Sequence, residues 1–121
     1  MKLPRSEAIE ACLPLAPASF HILLALGEED RHGYAILLEV ERTTGGEVRL
    51  SAATLYRSLQ RLLEQGLIEE LAERPAPELD DERRRYYRLT ALGVAVARAE
   101  TARLAKLVRL ARSAGFAPGR A

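Results

Sequence analysis

Arg57 and Arg61 lie one helical turn apart in the stretch SAATLYRSLQRLLEQGLI, residues 51–68. Guanidinium groups at that spacing leave the same flank of a helix. There they can make paired hydrogen bonds to a guanine edge or bind a phosphate. Thr54 and Tyr56 add shorter polar reach, and the small residues Ser51, Ala52 and Ala53 would let the positive helix end approach a phosphate closely. A second basic group, Arg83, Arg84 and Arg85, follows the acidic residues Glu78, Asp80, Asp81 and Glu82. Taken singly, the first pair also fits a solvated face, and the second also fits a run that merely neutralises its acidic neighbours.

Other chemistry finds less support. His32 follows Glu28, Glu29 and Asp30, but no second histidine stands at helical spacing, so no metal site is expected. Cys12 is the only cysteine, which excludes an internal disulfide, fits a reducing cytoplasm and reads as a small apolar filler or a spare thiol. Nothing resembles a nucleophile elbow, a phosphate loop or a paired acid–base site. No catalytic residue and no cofactor are expected; the chain does not read as an enzyme.

The elements that must carry these residues follow from punctuation and period. Pro4, Pro14 and Pro17 leave residues 1–17 as an arm or short helix. An apolar helix over about 18–26 should sit at the centre of the domain and stop at Gly27 in a left-handed conformation. Asp30 can cap the next helix, which would carry Tyr34, Leu37, Leu38 and Val40 to the core and end at Gly45 and Gly46. The helix capped by Ser51 reads most clearly. Leu55, Leu59, Leu62 and Leu63 form one apolar stripe, and Gly66 ends it. The segments LIEELAE and RRRYYRL alternate as two strands joined by the loop RPAPELDDE. Thr90 then caps a long helix, and residues 114–121 form a flexible tail.

Three helices, a two-stranded hairpin and a long helix make a mainly α fold with a small β-hairpin. That is the plan of a winged helix-turn-helix domain over 18–89, with a C-terminal helix over 90–113. In such a domain the helix before the wing enters the major groove while the wing reaches the backbone. The two arginine groups fall at those two places, a coincidence more specific than either alone.

At this point the chain resembles the PadR family of bacterial transcriptional regulators, in the short branch with a single C-terminal helix. The likeness is carried by LLALGEEDRHGYAILLEVE with its triplet His32-Gly33-Tyr34, by SAATLYRSLQRLLEQGLIEE, and by RRRYYRLTALG. The resemblance implies a homodimeric winged-helix repressor whose DNA contacts match Ser51, Thr54, Tyr56, Arg57, Arg61 and the 83–85 run. The chain departs from the family pattern at Ala53, where glycine is usual, and in its acidic wing loop. Alanine is the better helix former but brings a methyl group to the backbone contact.

The last helix carries Leu92, Val96, Ala99, Leu107 and Leu110 along one side, broadened by Leu104 and Val108. A stripe so wide should pack in part against a second copy. Expected partners are a second copy of the chain and, as the resemblance implies, double-stranded DNA on a near-palindromic operator and a small-molecule effector as the release signal of a repressor. With net charge +1 the DNA site must come from local clustering rather than an overall basic field. No apolar run approaches the roughly 18 residues of a membrane span, so a cytoplasmic protein is expected. The rival reading is a winged domain turned to protein–protein interaction, favoured by the acidic loop; a small-molecule-binding protein or enzyme without a DNA role is the third.

Overall fold

The computed structural model describes residues 6–71 and 85–117. The elements run α1 (Ser6–Glu10), α2 (Pro17–Ala25), β1 (Arg31–His32), α3 (Gly33–Thr43), α4 (Ala52–Glu64), β2 (Ile68–Glu70), β3 (Tyr86–Leu89) and α5 (Ala91–Ser113). Helix α2 lies at the centre and packs on α3, α4 and α5. Its Ile22 and Leu23 meet Ile36 and Val40 of α3, Leu55, Leu59 and Leu62 of α4, and Val96 of α5 in one buried core. The fold class is the expected one, mainly helical with a small antiparallel sheet and a long final helix.

Several local expectations need correction. The sheet has three strands in the order β1-β3-β2, not two, because Arg31 and His32 pair antiparallel with Tyr87 and Tyr86. Asp30 does not cap α3; His32 does, its Nδ1 accepting the Ala35 N–H at 3.1 Å. With the helix starting at Gly33, the core face is Gly33, Ile36 and Val40. Tyr34 and Leu38, expected inside, are exposed, and only Leu37 of the expected set joins Val40 against the core. Gly27 is not left-handed: α2 ends at Ala25 by tightening, with the Leu26 N–H shared between Ile22 and Leu23 and the Gly27 N–H donated to Leu24.

Helix α4 is built as its sequence requires. Ser51 Oγ accepts the Thr54 N–H at 3.1 Å, and Gly66, at φ +76°, closes the other end. There the Gly66 N–H reaches Leu63 and the Leu67 N–H reaches Leu62, which satisfies the last carbonyls. Between the caps Leu55, Leu59 and Leu62 are buried, and this single face fixes the rotation of the helix.

Thr90 joins the parts. Its Oγ1 donates to the Gly66 carbonyl at 2.6 Å and accepts the Gly93 N–H at 3.0 Å, while its own N–H donates to Leu67 at 3.1 Å. The start of α5 is thereby pressed onto the turn between α4 and β2. A Cβ at Gly93 would fall on the Leu67 carbonyl group, so only glycine fits this approach.

Helix α5 extends roughly 35 Å for its 23 residues. Its Glu100 is 2% exposed and is held by Arg103 through two contacts of 2.7 and 2.8 Å. The Arg103 hydrogen bond keeps the carboxyl below its ordinary pKa against the opposing effect of burial, and the Leu15 backbone N–H adds a smaller push the same way. The arm around α1 thus sits on α5. Cys12 packs at the edge of the core there, and burial raises its thiol pKa.

Gly93→Ala should destabilise the fold by about 1–3 kcal/mol, because the methyl group meets rigid backbone rather than a movable side chain. Ala95→Ser, on the same helix, should stay within about 0.5 kcal/mol. Urea denaturation of the two variants beside the parent measures the difference.

Candidate nucleic-acid interface

The flank of α4 turned away from the core presents Tyr56, Arg57, Gln60 and Arg61, all exposed. The charges around it are unevenly committed. Among the described arginines before residue 90, Arg31 and Arg42 meet Glu39, Arg49 meets Glu41, Arg85 meets Glu70 and Arg88 meets Glu69. Among the described residues, Arg57 and Arg61 meet no carboxylate. Two cations on a rigid helix, one turn apart and unpaired, are available to an external anion.

Two clefts border this flank. On the wing side, a cleft of about 520 Å³ separates α4 from β1 and β3, lined by His32, Gly33, Tyr56, Glu70 and Arg85 among others. Tyr56 rests against Gly33, where a Cβ would stand 3.0 Å from the tyrosine hydroxyl. Gly33 therefore makes room for a side chain of α4, which ties the His-Gly-Tyr triplet to the interface helix. On the other side, a cleft of about 560 Å³ lies between Thr54, Arg57, Ser58 and Arg61 of α4 and the first residues of α2.

The remaining site residues are placed as follows. Ser51 and Thr54 stand at the start of α4, where their hydroxyls first serve the helix: Ser51 Oγ donates to Thr54 Oγ1 at 3.0 Å. Arg85 is exposed and spans 3.5 Å to Glu70 across the sheet, while Arg88 reaches Glu69 at 2.9 Å. The Arg88 contact joins β3 to β2 and the Arg85 contact joins the residue before β3 to β2, in a sheet whose register pairs Glu69 with Arg88 and Glu70 with Tyr87. Arg83, Arg84 and the acidic residues 78–82 lie outside the described residues. Tyr87 is buried, and that burial, more than the nearby Glu70, raises its pKa.

What the sequence did not show of His32 was its capping of α3. Beyond capping α3, its ring meets Tyr86 edge-on at 5.3 Å and 89°. Arg31 beside it donates to the Ala25 carbonyl at 2.7 Å and faces Glu39 at 3.7 Å. Glu39 is held below its ordinary pKa chiefly by its hydrogen bond from Arg42. The two residues of β1 thus bind the end of α2, the start of α3 and the wing. The pairing partners, Tyr86 and Tyr87, lie more than fifty residues away, and no local pattern announces them.

On α5 the expected stripe divides. Val96 is fully enclosed by its own domain and belongs to the core, so it is not available to a second chain. Leu92 is half-buried against the same core, and Ala99 and Leu104 are half-buried. Leu107, Val108 and Leu110 are exposed at 47%, 41% and 56%. Among the described residues, no group of three or more His, Cys, Asp or Glu side chains could hold a metal ion, and no helix is long and apolar enough to cross a membrane.

Comparison with known proteins agrees with this geometry. The model of the transcriptional regulator PadR-like family matches residues 22–99. A transcriptional regulator from Clostridium thermocellum has a similar structure, with a TM-score of 0.67 over 92% of this chain and 97% of that one, at 22% identity. RosR from H. salinarum is 35% identical over 80% of this chain and 81% of its own, with a TM-score of 0.61. An uncharacterized protein of Lysinibacillus sphaericus is 38% identical over 74 residues, and the chain spans 65% of the length of that curated relative.

Replacing His32 by alanine removes a cap and a ring contact, and should cost about 1–2 kcal/mol. Asp30→Ala should stay within about 0.5 kcal/mol, because Asp30 caps nothing. Thermal melts of the two variants at neutral pH separate the roles; equal losses would return the cap to Asp30.

Proposed function

The chain belongs to the PadR-like family of transcriptional regulators, and from that premise we propose that it is a homodimeric repressor binding a near-palindromic DNA operator in the cytoplasm. The family consists of regulators rather than enzymes. In this reading α4 enters the major groove. Arg57 makes paired hydrogen bonds to a guanine edge, and Arg61 with the Ser51 end of the helix meets phosphates. Tyr56, seated on Gly33, and Thr54 border the contact, and the wing arginines from 83 to 85 grip the adjoining backbone.

The observation that carries the reading is the unpaired state of Arg57 and Arg61 on the exposed flank of α4. The other described arginines before residue 90 each meet a carboxylate, so on this face of the domain the unpaired charge is gathered on α4. The exposed leucines and valine in the second half of α5 supply an apolar surface for a second copy, which would set two copies of α4 about 34–36 Å apart, one turn of DNA. A small-molecule effector acting between the two copies completes the proposal as its release signal.

Arg57→Ala should weaken binding to the preferred duplex by about 1–3 kcal/mol and relax the base preference at one position of each half-site. Fluorescence anisotropy with the parent duplex and its single-base variants reads both effects. Unchanged affinity would remove Arg57 from the groove. A dimer mass by light scattering at micromolar concentration is expected alongside; a monomer would remove the paired half-sites.

A further inference from the structure

The cleft between the start of α2 and the flank of α4 holds donors that the rest of the fold leaves unused. Ser19 lines it, and although only 4% exposed, its hydroxyl makes no hydrogen bond among the described residues. Buried polar groups in native folds nearly always find a partner, so an idle hydroxyl beside an open cleft marks a place for one. Helix α2, nine residues long, starts with Pro17 at its first position, and no side chain caps it. The Phe20 N–H is the first to reach a carbonyl, that of Ala16 at 3.0 Å. The amides of Ala18 and Ser19 therefore remain at the positive end of the helix.

On the α4 wall stand Arg57 and Arg61, both without carboxylate partners among the described residues, together with Thr54 and Ser58. Glu64 is the one carboxylate among the lining residues, and its Oε2 accepts from Gln60 at 3.2 Å. Two guanidinium charges outweigh it. We propose that this cleft seats a phosphate group, with the Ser19 hydroxyl and the Ala18 and Ser19 amides meeting its oxygens while Arg57 and Arg61 offset its charge.

At about 560 Å³ the cleft is larger than one phosphate, which suits a link in a nucleic-acid backbone with its adjoining sugars. The assignment to a DNA phosphate rests on the regulator reading and deepens it. The strand read by Arg57 passes its backbone to the start of α2, so Ser19, two helices earlier in the chain than α4, becomes part of the DNA contact.

The test uses the full chain and a duplex recovered by selection from a random-sequence pool. Ser19→Ala should lower affinity for that duplex about fivefold, and Ser19→Asp, which sets a negative charge against the two amides, by about thirtyfold or more. An acidic residue in the first turn favours the helix, and circular dichroism reports whether each variant is folded. The slope of log affinity against log salt should become shallower by about one unit in the aspartate variant. A duplex with a neutral methylphosphonate at the contacted link should bind the parent more weakly and lose nothing further with Ser19→Ala. If the parent and both folded variants bind the duplex equally, the phosphate seat is overturned while the DNA reading stands. Should Ser19→Asp fail to fold, the alanine variant and the methylphosphonate duplex decide alone. If the parent binds no duplex, the DNA reading fails, and titration of inorganic phosphate into isotope-labelled protein decides the cleft. Shifts centred on the Ala18 and Ser19 amides keep it as a seat for a free anion; flat spectra overturn it.

Discussion

The end of the interface helix is tied to the rest of the domain through Thr90. Its hydroxyl donates to the carbonyl of Gly66, just past the end of α4, and accepts the amide of Gly93 in α5, while its backbone N–H donates to the Leu67 carbonyl. These contacts lock the end of α4, the root of β2 and the start of α5 into one rigid corner. Gly93 permits the approach because a side chain there would strike backbone. The spacing between the outer flank of α4 and the exposed half of α5 is set at this corner, and a paired DNA contact needs that spacing fixed.

The second anchor is β1. Two residues carry it, yet they close the sheet, cap α3 and tie the end of α2 to the start of α3. Gly33 follows and leaves space for Tyr56. The triplet His32-Gly33-Tyr34 thus acts through its first two members, while Tyr34 faces solvent at 60% exposure. A signature that invites a metal or catalytic interpretation is accounted for by packing and capping around the interface helix.

What could be read from the sequence was whatever repeats locally. Leu55, Leu59 and Leu62 recur at helical spacing between Ser51 and Gly66, and α4 follows from them almost residue for residue. Thr90 as the cap of a long helix follows in the same way. Where the outcome depended on which distant element arrives, local pattern misled. Tyr34 and Leu38 are as apolar as their neighbours, but His32 rather than Asp30 starts α3, and that choice turned a different face inward. Strand β1 is too short to show alternation. Along α5 the apolar period is continuous, yet Val96 is claimed by its own core while Leu107 and Leu110 are left outside; the period reports a stripe and not which chain covers it. Ser19 had no pattern at all, a lone hydroxyl in an apolar helix whose isolation is visible only in three dimensions.

The central claim is that the flank of α4 bearing Arg57 lies inside duplex DNA. A cleavage reagent tethered there tests it most directly: Cys12→Ser with Arg57→Cys, carrying an iron chelate, with the selected duplex in enough excess to saturate the weakened variant. Strand breaks confined to the bases under each half-site, and absent when the chelate is moved to position 107 on α5, are the expected pattern. A bound duplex left uncut from position 57, or cut equally from position 107, would contradict it.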